Sequence, residues 1–249
     1  GVTHQEDFLD AAKNKITLTI SNYNQVEYLL GIQQHINIHL KVDTGMNRLG
    51  FKDLDEFNRV VDLCVKHQYI QLVGVYTHFS TADCDKEYYN QQKKRFEEIL
   101  NQCSYPFDMI HVSNSSSSIK YEQDIPYTTH VRLGISLYGL TLDTGVDFLK
   151  NTYRLVTKVA EIKKIKPGEK VGYSATYEAK EHEIIGILPI GYADGFIRKN
   201  QGGYVEINKT LYPIIGRICM DQCFIKIDET VSTEDEVIIM GGQVHIDDV

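Results

Sequence analysis

The chain has 249 residues, 42% hydrophobic and 24% charged, with 26 Lys and Arg against 34 Asp and Glu, a net charge of −8. That composition excludes a disordered chain, a collagen and a disulfide scaffold, and its acidity disfavours non-specific nucleic-acid binding and docking on anionic membranes. No apolar run reaches the ~20 residues of a membrane span, no secretory signal opens the sequence, and five cysteines without a CxxC pair predict reduced thiols in the cytoplasm. Cys219 and Cys223 lie four apart, but no further ligands accompany them, so no metal is expected.

In chain order, the first half alternates. Apolar, β-branched runs at 16–20, 36–42, 72–79, 109–112 and 131–137 predict strands, and helical patterns lie between most of them. The clearest helix spans 53–68. There Phe57, Val60, Val61, Cys64 and Val65 make one apolar stripe, with Asp53 as N-cap and Glu56 three residues on. A second, at 86–103, points Phe96, Ile99 and Leu100 inward. Strands beginning at 36, 72 and 109 recur every 36 or 37 residues, the rhythm of a βα repeat and a parallel sheet. Such repetition gives a doubly wound sheet or a (β/α)8 barrel of TIM type; no GxGxxG follows a strand, which favours the barrel. Past 141–151 the pattern becomes short alternating strands, at 155–165, 171–177, 184–190, 204–207, 211–215, 218–227 and 237–240, separated by turn signals. The expected organisation is a partial barrel over 1–145 and a mostly β C-terminal domain over 146–249.

Chemistry-bearing residues gather at the expected strand ends, where a barrel keeps its active site. Lys41 closes one strand and Arg48 follows in its loop, although Asp43-Thr44-Gly45 also reads as a plain turn. His78 ends the next strand; a lone histidine is by default a satisfied structural one. His111-Val112-Ser113-Asn114-Ser115 opens into a helix whose first turn suits a phosphate or a simple Ser/Asn cap equally. Arg132 lies in an apolar setting, which is costly unless the guanidinium is paired or holds a ligand. Gly134, in the same stretch, permits close approach of a ligand. In the β half, Tyr173 and Tyr192 sit among glycines and small residues, where a phenol can transfer a proton; with 16 tyrosines, core filling is the rival explanation for any one of them.

The ordered set KVDTGMNRLGF, THFSTAD, HVSNSSSS, VRLGISLYGL, VGYSATY, PIGYADG and GRICMDQ resembles the alanine racemase family, pyridoxal-phosphate enzymes with a fold-type III barrel and a C-terminal β domain. The resemblance spans 41–222. It implies an isomerase interconverting L- and D-alanine by two-base proton transfer, with pyridoxal 5'-phosphate as electron sink, to supply D-alanine for cell-wall peptidoglycan. Tyr173 matches the base acting on the L-enantiomer, and His78 a histidine that activates it. Arg132 matches the arginine facing the pyridine nitrogen. Asn114, Ser115, Gly134, Ile135 and Tyr192 match positions that hold phosphate or line the cofactor site. Arg48 and the backbone of Met220 match substrate-carboxylate contacts. Lys41 matches a lysine carbamylated in several members, whose negative charge orients the Arg48 equivalent, so the two side chains are expected close together. The partners implied are a small amino-acid substrate and a second copy in a homodimer with shared active sites, with no nucleic acid and no membrane.

One departure stands out. The family's Schiff-base lysine lies in a segment of the type VVKANAYGHG, and nothing here matches it. The family's Arg-rich close is missing as well, the sequence starts at Gly1, and about three barrel strands are unaccounted for. The expectation is an internal fragment, inactive by itself. The alternatives are a serine or broad-specificity racemase on the same scaffold, a non-catalytic module that only binds or pairs, and an unrelated barrel hydrolase using His78 and Asp83 with a metal.

Overall fold

The computed structural model describes every residue except 247 and 248, and every side chain among them except that of Glu122. The chain divides into two compact units, Gly1–Lys150 and Asn151–Val249; the change of sequence pattern had put the division near 145.

In the first unit, β1 (Leu18–Ile20), β2 (Ile36–Lys41), β3 (Ile70–Tyr76) and β4 (Met109–His111) form one parallel sheet in that order. Helices α1 (Phe8–Lys13), α2 (Tyr23–Leu30), α3 (Leu54–Lys66) and α4 (Lys86–Gln102) precede the four strands in turn, and α5 (Ser115–Lys120) follows β4. The cap read from sequence forms, with Asp53 Oδ1 accepting the Glu56 N–H; at the start of α4 the structure adds another, Asp85 Oδ1 accepting the Tyr88 N–H. Along β2, Ile36, Ile38 and Leu40 are buried in a core shared with Phe57, Val60, Val61 and Cys64 of α3 and Phe96 of α4. Each such burial is worth roughly 1.5–3 kcal/mol. Val65, expected on the same stripe, is 51% exposed, because the buried face of α3 is centred on Phe57, Val61 and Cys64.

The opposite face of the sheet carries the polar residues. Register sets Thr19, His39, Gly74 and Met109 side by side in one row and Lys41, Tyr76 and His111 in the next. A bulge between Ile38 and His39 brings His39 opposite Gly74. A Cβ on Gly74 would lie 2.6 Å from the Met109 carbonyl oxygen and 2.8 Å from the His39 ring, so only glycine leaves that ring its place.

The strand expected over 131–137 does not form. Only His130 bridges β4, opposite His111, and the stretch turns into a 3-10 helix, Ile135–Tyr138. Its backbone is spent elsewhere: the Arg132 N–H goes to the Ser113 carbonyl and the Gly134 N–H to Ser115 Oγ. β4 has already ended at His111, which leaves no ladder to join.

The second unit is antiparallel. β5 (Leu155–Lys158), β6 (Glu161–Ile165), β9 (Glu183–Leu188), β10 (Tyr204–Ile207), β11 (Thr210–Ile215), β12 (Cys223–Ile227) and β13 (Glu236–Met240) make one sheet in the order β5-β13-β10-β11-β12-β9-β6. β7 (Lys170–Val171) and β8 (Tyr177–Glu178) form a separate hairpin. The single strand expected over 155–165 is therefore two, on opposite edges of the sheet and joined by Val159 and Ala160 alone. So short a link holds the two edges together and curls the sheet around a core that includes Leu188, Val205, Ile207, Ile225 and Val237. The strand expected over 218–227 begins only at Cys223; residues 218–222 belong to a loop.

Candidate active site

A cavity of about 800 Å³ opens over the polar face of the parallel sheet, lined by His39, Lys41, Arg48, Tyr76, His78 and Arg132 among others. Lys41 and Arg48 thus meet at one space, and Arg48 is close enough to act on the Lys41 ammonium. The Lys41 Nζ donates to the Leu49 carbonyl at 2.9 Å and sits 5.7 Å from the Tyr76 ring centre. Burial draws its pKa below the ordinary lysine range; Asp43 pulls it up, and the Arg48 and Arg132 charges add to the lowering.

Arg132 organises the rest. Its Nη1 donates to the ring Nδ1 and the carbonyl of His111; its Nη2 donates to the Thr77 carbonyl at 2.6 Å and to His78 Nδ1 at 3.2 Å. The guanidinium also lies 4.9 Å from the centre of the Tyr76 ring, which stacks on His111 at 4.7 Å. Every partner is a neutral acceptor or a π face, and no salt bridge to Arg132 occurs among the described residues. Because arginine only donates, His111 Nδ1 and His78 Nδ1 accept, so each neutral ring carries its proton on Nε2. His111 passes that N–H to His39 Nδ1 at 2.8 Å. Burial and the Arg132 charge push the pKa of His78 down to about 4 and that of His111 to about 3; burial, then His130 and Arg132, lowers that of His39. At neutral pH His78 is a donor through Nε2, not a cation.

A second group of donors lies at the start of α5. Ser115 Oγ accepts the N–H of Gly134 at 2.9 Å and of Ser136 at 3.3 Å, and meets Ser136 Oγ at 3.1 Å. An oxyanion is a stronger acceptor than a hydroxyl and would take over these donors. A Cβ built on Gly134 finds only Ser115 Oγ within 4 Å, at 3.7 Å, so the cradle is open on that side. Ile135 follows with 41% of its surface exposed. Asn114 is engaged at both ends of its amide: it caps α5 through the Ser117 N–H and donates to the Phe79 carbonyl. An arginine without a carboxylate partner and a hydroxyl–amide cradle suit, respectively, a pyridine nitrogen and a phosphate.

In the second unit the three tyrosine- and methionine-bearing segments converge. Tyr173, 67% exposed, stands on a sharp corner between β7 and β8, where Gly172 has φ 72°, Ser174 φ 60° and Ala175 φ 50°. Left-handed backbone at two non-glycine residues costs about 1–2 kcal/mol each, and such strain clusters at functional corners. A Cβ on Gly172 would come within 3.4 Å of the Arg217 nitrogen, which puts this corner beside the loop leading to Met220. On the same loop, the Tyr192 N–H donates to the Cys219 carbonyl and the Ala193 N–H to the Met220 carbonyl. Tyr192 lies 42% exposed with the Arg198 guanidinium 4.9 Å from its ring centre, and the Met220 side chain is 58% exposed.

Comparison with known proteins decides the family. Residues 1–142 match the family model described as alanine racemase, N-terminal domain, and residues 152–249 the one described as alanine racemase, C-terminal domain. The chain belongs to the alanine racemase family. A curated alanine racemase of Listeria monocytogenes is 42% identical over 247 residues, 97% of this chain and 66% of its own length. The crystal structure of alanine racemase from E. faecalis superposes with a TM-score of 0.85 at 32% identity, over 99% of this chain and 68% of that one. A histidine racemase from Leuconostoc mesenteroides superposes with a TM-score of 0.86 at 27% identity, with the same coverages. The chain thus spans about two thirds of the length of these relatives. The expected fold class, a (β/α) barrel of TIM type followed by a mostly β domain, is that of the racemase family.

Sequence reading missed His39, Tyr76 and Thr19 as members of this site and used His111 only as part of a motif. A signal was present: His39 and Lys41, and Tyr76 and His78, alternate along strands whose other face is apolar. The hydrogen bond between Tyr76 Oη and Thr19 Oγ1, at 2.9 Å, needs register and carries no local signal.

Proposed function

We propose that the protein to which this chain belongs is a pyridoxal-phosphate-dependent racemase that interconverts L- and D-alanine, acts in the cytoplasm and supplies D-alanine for cell-wall peptidoglycan. The observation that carries the reading is Arg132, a half-buried cation fixed by neutral acceptors at the edge of the cavity. When bound, pyridoxal phosphate supplies an electron sink for the carbanion left by loss of the α proton. Arg132 would face the pyridine nitrogen, where a permanent cation opposes protonation of the ring. Ser115, the Gly134 and Ile135 backbone and Asn114 at the α5 cap would hold the phosphate, together with Tyr192. Arg48 and the Met220 backbone would bind the substrate carboxylate, with Lys41, carbamylated to an anion, orienting Arg48. Tyr173 would take the α proton from the L-enantiomer through its phenol oxygen, and the neutral His78, donating through Nε2, would lower the cost of the phenolate. In this reading two copies share their sites, the tyrosine of one serving the cofactor of the other.

The test is racemisation by the full natural chain with added cofactor. L-alanine and D-alanine should each lose optical activity, with exchange of the α proton in heavy water. No exchange from either enantiomer would dismiss the reading. The likeness to a histidine racemase supports a second reading, a racemase of another or broader specificity. Ratios of kcat/KM for alanine, serine and histidine decide between the two.

A further inference from the structure

Gln92 stands in the middle of α4, a helix otherwise polar on its outer side, yet it is wholly buried. Its carboxamide is fully spent on two loops. Oε1 accepts the Ser80 N–H at 2.9 Å and the Ser80 hydroxyl at 3.0 Å; Nε2 donates to the His78 carbonyl at 3.3 Å and to Thr44 Oγ1 at 3.4 Å. Thr44 in turn meets Thr77 Oγ1 at 2.8 Å, and Thr77 Oγ1 donates to the Val42 carbonyl. One loop follows β2 and leads to Arg48; the other follows β3 and carries His78. Two more α4 side chains grip the first loop: the Tyr88 hydroxyl donates to the Gly45 carbonyl and Arg95 Nη1 to the Thr44 carbonyl. A buried amide with every hydrogen bond made is a rigid tie, because any shift of either loop strands a polar group away from water.

We infer that Gln92 is a positioning residue, whose carboxamide ties the Arg48 loop to the His78 loop and so sets the place of the carboxylate-binding cation relative to the His78–Arg132 pair. The inference rests on the racemase reading for what Arg48 and His78 do, and on the hydrogen bonds alone for the tie itself. Arg48 holds the substrate carboxylate in ground state and transition state alike, so loosening it weakens binding more than turnover. Small misplacements of positioning groups cost up to about 10²-fold.

The experiment uses the full natural chain and the variant Gln92→Met, which keeps the volume of the side chain and deletes its polar atoms. Val60→Ala, on the buried face of α3, is the control for plain loss of stability. Gln92→Met should raise KM for alanine about tenfold or more with a smaller fall in kcat, whereas Val60→Ala should lower the melting temperature and leave KM unchanged. The His78 ring, followed by NMR, gives a readout independent of turnover. It faces Arg132, Arg48 and Lys41, and in the wild type it should titrate near 4. In Gln92→Met its midpoint should move up toward that of a free histidine. Should Gln92→Met fail to fold, Thr44→Val, which removes only one hydroxyl of the tie, should raise KM in the same direction. Wild-type KM and wild-type His78 titration in a folded variant would overturn the inference. If the wild-type protein racemises no alanine, the racemase reading falls, and the His78 titration still decides the role of Gln92.

Discussion

Because burial and then the Arg132 charge keep His78 uncharged, folding of the first unit should be sensitive to acid in a window set by that histidine. Its pKa falls from 6.5 for the free side chain to about 4 in the folded protein. Between those values the unfolded chain binds the proton and the native chain does not, so stability is lost as pH falls. The full shift is worth about 3 kcal/mol, at 1.36 kcal/mol per unit, and roughly 2 kcal/mol of it is gone by pH 5. His111, lowered to about 3, acts in the same direction. The discriminating variant is His78→Gln, whose amide oxygen can accept from Arg132 and which takes up no proton. Urea unfolding of wild type and variant should be measured from pH 8 to 4, with hydrogen exchange of β2–β4 amides to read the first unit separately. Wild type should lose stability more steeply below pH 6.5, and the gap between the two curves should shrink by about 2 kcal/mol by pH 5. Parallel curves would show that the fold does not hold His78 neutral.

Tyr173→Phe in the full chain should retain cofactor absorbance yet lose on the order of 10²–10⁴-fold in racemisation, since only the proton-carrying oxygen is removed; α-proton exchange should fall for L-alanine and persist for D-alanine. Gly74→Ala should destabilise the first unit by about 1–3 kcal/mol, read from urea midpoints, because its methyl would sit 2.6 Å from the Met109 carbonyl oxygen. The same variant should shift the NMR signals of the His39 and His111 rings, since His39 must move. Phe57→Ala, at a fully buried side chain, should cost about 3–5 kcal/mol in the same measurement.

What the sequence revealed was whatever is local. The apolar stripes of α3 and α4, the Asp53 cap and the 36-residue spacing are properties of neighbouring residues, and they placed those two helices and the first four strands. Lys41, Arg48, His78 and Arg132 were legible because a charged or titratable residue within an apolar run, or just after one, is conspicuous. His39 was not, since its link to His111 depends on a bulge that changes register by one residue between Ile38 and His39. Gln92 was invisible for the opposite reason: a glutamine in a polar helix looks like surface until the loops above it are in place. The stretch around Gly134 misled by composition, its β-branched and apolar residues suggesting a strand whose backbone donors go instead to Ser113 and Ser115.

The pairing of β5 with β13 has a consequence for how the second unit comes into being. Lys158 lies opposite Glu236 and Thr157 opposite Val237, so the unit's opening strand waits for its closing one. Nearly the whole domain is a single loop to be closed before that pair contributes anything, and loops of this length delay folding more than they reduce final stability. During synthesis, β5 would leave the ribosome with no strand paired to it and stay so until residue 240 has followed. Trimming the chain before β13 would then remove more than one strand's worth of hydrogen bonds, leaving β5 without a partner and β10 as an open edge on which other chains can assemble.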